Sequence, residues 1–245
     1  MARLVRLQGR QEMKRFMKEG RKPVRIFIAG DSTAATYPQE QEPMAGWGQM
    51  IGRLFGPEVE VVNEARCGRS SKSFIAEGHL QRIEEAIGAG DYLMIQFGHN
   101  DQKPDEERHT EPETTYPEHL ARYIELAVAK NAQPVLLTSV ERRHFDEAGE
   151  LTPSHGAYPD AMRKLARERG VPLLDLCPRT QELYRSLGPE NSKRLFVWLK
   201  PNEHPNYPDG VQDDTHFNED GAAQVAALVA EEIRKSDLPL KEYLI

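Results

Sequence analysis

Ser32 follows an apolar run, Ile26-Phe27-Ile28-Ala29, that breaks at Gly30 and Asp31. A serine hydroxyl is a weak nucleophile until a base takes its proton, and a histidine base needs a carboxylate to fix its tautomer. Asp213-Asp214-Thr215-His216 supplies both. On one turn, a spacing of three lets the Asp213 carboxylate reach the His216 imidazole and leaves the other ring nitrogen free for Ser32. Asp214, two residues before His216, is expected to project elsewhere, solvated or bonded to loop amides. Acyl transfer also develops a tetrahedral oxyanion, which requires donors already aimed at it. The candidates are the Ser32 N–H, the Gly68 N–H in Cys67-Gly68-Arg69-Ser70-Ser71 and the Asn100 amide in Gly98-His99-Asn100-Asp101. Gly68 suits the role because a residue without Cβ lets its backbone approach a ligand.

These residues must be brought together by elements that the apolar pattern reveals. Runs of strand length occur at Val24 to Ala29, Val59 to Val62, Tyr92 to Phe97, Val135 to Val140 and Leu173 to Leu176. Between and after them, Leu80/Ile83/Ile87, Leu120/Ile124/Ala127/Val128, Met162/Leu165/Ala166 and Val225/Leu228/Val229/Ile233 repeat with the period of one helix face. Pro159 fits a first helical turn, and Asn218 fits an N-cap followed by Glu219 and Asp220. Strands alternating with helices imply right-handed crossovers and a parallel sheet covered on both sides, a three-layer α/β fold. In such a sheet the polar clusters after strands one, two and three share the edge where ligands bind. The Pro-bearing segments 104–117 and 201–208 read as loops, the second leading straight to Asp213.

Composition narrows the function classes. The 245 residues suffice for one large domain, expected over 23–245, with a basic extension at 1–22 that either docks as a helix or stays loosely held. A formal charge of −7 disfavours nucleic acid, whose backbone is held by many Lys and Arg contacts. No apolar run spans a bilayer and the N-terminus lacks an apolar leader core, so a cytoplasmic protein without a membrane partner is expected. The two cysteines, Cys67 and Cys177, have no metal-ligand or disulfide-scaffold spacing and read as free thiols, Cys67 as a packed one. The remaining histidines show no metal spacing. His99 is expected to hold the loop after the third strand. Trp47, Trp198 and Tyr207 could offer flat aromatic faces to a ligand or pack the core and loops.

The polar clusters also carry a resemblance. Gly30-Asp31-Ser32, Gly68, Gly98-His99-Asn100-Asp101 and Asp213-Asp214-Thr215-His216 resemble, in order, the four blocks of the SGNH, or GDSL-type, hydrolase superfamily. Gly30-Asp31-Ser32-Thr33-Ala34, Gly46-Trp47-Gly48, Gly68-Arg69-Ser70-Ser71 and the closing Gly221-Ala222 make the chain most similar to the rhamnogalacturonan acetylesterase group. The resemblance implies a flavodoxin-like fold with a five-stranded parallel sheet between helices. It also implies deacetylation of pectic rhamnogalacturonan, here expected on imported oligosaccharides, with no metal or organic cofactor. Ser32, Asp213 and His216 would be catalytic, and Ser32, Gly68 and Asn100 would form the oxyanion hole. An esterase for xylan-type saccharides, a lysophospholipase or thioesterase, and a non-catalytic binding module are the alternatives. A galacturonate-containing substrate is anionic, and Arg66, Arg69, Lys72, Lys103, Arg142 and Arg143 cluster at the strand ends. At least one of Arg69, Arg142 and Arg143 is therefore expected to bind a substrate carboxylate, unless the interleaved Glu64, Asp101, Asp105 and Glu141 neutralise them. The oligomeric state is not legible.

Overall fold

A computed structural model describes residues 23–245, so the expected extension at 1–22 lies outside the described residues. The five apolar runs form β1 (Val24–Gly30), β2 (Val59–Asn63), β3 (Tyr92–Gln96), β4 (Gln133–Leu137) and β5 (Leu173–Leu174). They pair in parallel in the order β2-β1-β3-β4-β5, the five-stranded α/β sheet that the sequence pattern predicts. The helices are α1 (Trp47–Met50), α2 (Ser71–Ala76), α3 (His79–Ala86), α4 (Thr115–Ala129), α5 (Tyr158–Arg169), α6 (Leu176–Asn191) and α7 (Glu219–Lys235).

Alternate strand residues point to opposite faces, which builds two cores. Ile26, Ile28, Met94 and Leu137 pack one face against Trp47 of α1, Tyr184 of α6 and Val225, Val229 and Ile233 of α7. Phe27, Ala29, Leu93, Ile95 and Leu136 pack the other against Phe74, Ile83, Leu120, Ile124 and Met162 of α2 to α5. Each fully buried side chain of this kind contributes roughly 1.5–3 kcal/mol, so the sheet edge that carries the site is rigidly supported. Val128, placed by its period on the apolar face of α4, is instead 60% exposed. The Asn218 side chain caps α7 by accepting from the Gly221 N–H at 3.0 Å, a contact worth about 1 kcal/mol.

Besides the short helices α1 and α2, two features are absent from the sequence reading. One is α6, which begins at Leu176 and so shortens the expected fifth strand. The other is an antiparallel hairpin of β6 (Phe196–Leu199) and β7 (Val211–Phe217) beside the sheet. The four residues Asp213 to His216 therefore lie in a strand and not on a turn before the last helix.

Candidate active site

Parallel strands put their carboxyl ends on one edge, and Ser32 sits there just past β1, with its carbonyl accepting from the Tyr37 hydroxyl at 2.8 Å. His216 reaches Ser32 from the hairpin, Nε2 to Oγ 3.0 Å. On its other side His216 Nδ1 lies 2.7 Å from Asp213 Oδ2.

A regular strand would forbid that second contact, because residues three apart point to opposite faces about 10 Å from each other. β7 is not regular. Phe217 pairs with Phe196 but Gln212 pairs with Trp198, so the segment between them bulges out of the ladder. Inside the bulge Asp213 Oδ1 accepts from the Thr215 and His216 amides, each at 2.8 Å, and its other oxygen is turned onto the imidazole. Burial pushes the Asp213 carboxyl up, but the His216 and Thr215 contacts outweigh it and hold it below the usual carboxylate range. An ionised carboxylate next to Nδ1 keeps the proton there and leaves Nε2 as the acceptor facing Ser32.

Gly68 and Asn100 lie in the loops that follow β2 and β3, the strands on either side of β1. Gly68 has a φ of +78°, and a Cβ there would meet nothing within 4 Å. Its left-handed backbone, not crowding by the protein, therefore calls for glycine. Asn100 is buried and its Nδ2 donates to the Arg69 carbonyl at 3.0 Å. An amide nitrogen has two hydrogens, so one remains for a substrate oxygen.

Beneath the serine, Asp31 is wholly buried, its Oδ1 accepting from the Thr33 amide and hydroxyl at 2.9 and 2.8 Å. Burial raises its pKa, with the Thr33 hydrogen bonds opposing. The Trp47 indole donates to Gln96 Oε1 at 2.8 Å and the ring is fully buried, which makes Trp47 a core residue and not a sugar platform. Trp198 is likewise committed: its N–H donates to Asp214 at 2.8 Å, and Arg143 and Lys193 lie over its ring. His99 is buried edge-on against His155, with ring centroids 4.5 Å apart, and burial drives its pKa well down, so it packs as a neutral ring. Cys67 differs from expectation in being exposed, next to Gly68.

The three arginines have unlike environments. Arg143, expected to meet substrate, is instead buried, bonded to the Asp214 carboxylate, to the Pro189 carbonyl and, at 3.1 Å, to Ser192. It locks the hairpin to the β4 loop, and Asp214, partly exposed as expected, bonds Arg143 and the Trp198 indole where loop amides were expected. Arg69 pairs with Glu77 at 2.8 Å and is about two-fifths exposed. Arg142 has no carboxylate at ion-pair distance among the described residues; its guanidinium donates to the His99 carbonyl at 3.1 Å and to Ser154. Those bonds use Nη1 and part of Nη2. Arg66 pairs with Glu64.

Sequence reasoning missed what holds Arg142 in place. Glu141, buried, accepts from the Arg142 and Ser154 amides at 3.0 Å each and from Gln181 at 2.8 Å. Its partners lie up to 40 residues away, so no local signal marks it. Among the described residues no group of three or more His, Cys, Asp or Glu could hold a metal ion, and no helix is long and apolar enough to cross a membrane.

A serine, a histidine and an aspartate in hydrogen-bonded series at the carboxyl edge of a parallel sheet define a hydrolase of the serine type. The chain belongs to the GDSL-like lipase/acylhydrolase family, whose model matches residues 28–224. It is 54% identical over 225 residues to rhamnogalacturonan acetylesterase RhgT of Bacillus subtilis (strain 168), covering 92% of this chain and 96% of the relative. It is 39% identical to the probable rhamnogalacturonan acetylesterase YesY of the same organism, covering 90% of this chain and 97% of the relative. Among solved structures it is similar to protein YXIM of Bacillus subtilis, with a TM-score of 0.75 and 28% identity. That match covers 89% of this chain and 58% of the solved one.

Proposed function

We propose that this protein is a serine esterase that removes acetyl groups from rhamnogalacturonan-type saccharides. The observation that carries the reading is the series Ser32 Oγ, His216 Nε2, His216 Nδ1, Asp213 Oδ2, with separations of 3.0 and 2.7 Å. The substrate class is supported by the 54% identity to RhgT over nearly the whole of both chains. In the proposed reaction Ser32 Oγ attacks the acetyl carbonyl as His216 Nε2 takes its proton. The oxyanion is held by the Ser32 and Gly68 N–H groups and the Asn100 amide. Collapse breaks the bond to the sugar oxygen, which leaves with the proton from His216. Water, deprotonated by the same nitrogen, then attacks the acetyl-serine; collapse breaks the bond to Ser32 Oγ, which takes the proton back from His216, and acetate departs. Asp213 orients the ring and stabilises its charged form. Free cysteines, one of them exposed, fit a reducing cytoplasm.

The substrate test compares acetate release from acetylated rhamnogalacturonan oligomers, acetylated xylan and long-chain p-nitrophenyl esters. The first is expected to be the best substrate by kcat/KM. A preference for xylan or for long acyl chains would overturn the substrate assignment while leaving the serine chemistry in place.

Asn100→Ala is expected to lower turnover on the order of 10²-fold with KM little changed, since its amide bonds the oxyanion more strongly than the ground-state carbonyl. A change in KM alone would move Asn100 to substrate binding.

Arg142 is the cation proposed to receive a substrate uronate. It is held by carbonyl and hydroxyl groups, it keeps Nε–H and one Nη2 hydrogen without a partner among the described residues, and a guanidinium can grip carboxylate oxygens through two such donors. Arg142→Gln removes the charge and keeps a polar amide at the position. KM for rhamnogalacturonan oligomers should rise roughly 10-fold or more, as expected for a charge-assisted bond, and should rise with salt in the wild type. Turnover of neutral p-nitrophenyl acetate should hardly move. Equal losses on both substrates would mean that Arg142 only supports the loop.

A further inference from the structure

Asp101 is fully buried and has no ion pair among the described residues. Its carboxylate instead accepts from the Ser71 amide, 3.1 Å to Oδ1 and 3.3 Å to Oδ2, from the Ser71 hydroxyl at 2.5 Å and from the Thr110 hydroxyl at 3.2 Å. Burial drives its pKa up to about 7, against the pull of the Ser71 bonds. Burying a carboxylate is costly unless its hydrogen bonds repay the desolvation. What these bonds achieve is visible in the sheet order.

β2 and β3 carry Gly68 and Asn100 beyond their ends, yet β1 lies between them, so no backbone ladder sets the spacing of the two. The connection runs from loop to loop. Asn100 Nδ2 donates to the Arg69 carbonyl, and Asp101 takes the amide and the hydroxyl of Ser71. Two consecutive residues of one loop thus hold two residues of the other on either side of Ser70, whose side chain in turn caps α2 through the Ser73 amide at 3.1 Å. Oδ1 accepts from both Ser71 groups and Oδ2 also faces the Ser71 N–H at 3.3 Å, so an Asn amide, whose NH2 replaces one of these oxygens, would set a donor against a donor.

We propose that Asp101 is a positioning residue that sets the distance between the Gly68 and Asn100 donors, and so the strength of the oxyanion hole. This rests on the reading of Gly68 and Asn100 as oxyanion donors. Such donors act by being in place before charge develops, so a small displacement weakens the transition state more than the bound substrate.

The test measures kcat and KM for p-nitrophenyl acetate and the thermal midpoint of Asp101→Asn, Ser71→Ala, Thr110→Val and Asn100→Ala. Asp101→Asn and Ser71→Ala should each lower kcat about 10-fold or more while KM stays within about 2-fold, and the double variant should be no slower than Asp101→Asn alone. Thr110→Val removes the third bond to Asp101 away from the Gly68 loop; it should lower the midpoint as Ser71→Ala does, with kcat within about 2-fold of wild type. If Asp101→Asn does not fold, the contrast between Ser71→Ala and Thr110→Val decides. Normal kcat in Ser71→Ala, or an equal loss in Thr110→Val, overturns the positioning role. A normal kcat in Asn100→Ala would instead overturn the oxyanion reading on which it rests.

Discussion

Ser32→Ala should lower turnover on the order of 10⁴- to 10⁶-fold while leaving the fold and the thermal midpoint nearly unchanged. The side chain lost is one hydroxyl at the end of β1, and the neighbouring supports do not run through it. Tyr37 bonds the Ser32 carbonyl and Asp31 bonds Thr33. The His216 ring would lose its 3.0 Å contact to Oγ but keep its contact to Asp213. Residual hydrolysis should come from the oxyanion donors alone. Acetate release from acetylated rhamnogalacturonan oligomers and from p-nitrophenyl acetate measures it, and the initial burst of p-nitrophenol should vanish. Turnover within an order of magnitude of wild type would remove Ser32 from the chemistry.

The second large effect separates two adjacent acids. Asp213→Asn should cost on the order of 10³- to 10⁴-fold in kcat, because an amide next to Nδ1 no longer enforces the tautomer that leaves Nε2 as the acceptor. Its fold should survive, since the Asn oxygen can still accept from the Thr215 and His216 amides. Asp214→Asn should do the reverse. Its carboxylate holds the buried Arg143 and the Trp198 indole and touches neither His216 nor Ser32. Because Asp214 is itself 44% exposed, the penalty expected for breaking a buried pair is reduced to about 1–2 kcal/mol. Turnover should stay within a few-fold of wild type and the thermal midpoint should fall. The opposite ranking of the two variants would exchange their roles.

Local pattern alone was enough for the five-stranded parallel sheet and for four of the helix faces. Strand and helix periods are set by neighbours two to four residues apart, so Val24 to Ala29 and Val225 to Ile233 are readable wherever they occur. A glycine break after an apolar run places Ser32 at a strand end for the same reason. The tertiary structure decided everything whose partner is distant in the chain. The strand Val211–Phe217 was not legible because its charged middle neither alternates nor is apolar, and its bulge exists only through pairing with Phe196–Leu199. Arg142 and Arg143 are adjacent and chemically identical, yet one is consumed by Asp214, 71 residues away, and the other is not. Trp47 is buried in the core with its indole bonded to Gln96, and Asp101 is bound to Ser71 across an intervening strand. A side chain's charge and shape are written locally, but whether it is free to meet a substrate depends on which polar groups the fold packs against it, because burial makes an unpartnered charge too costly to leave.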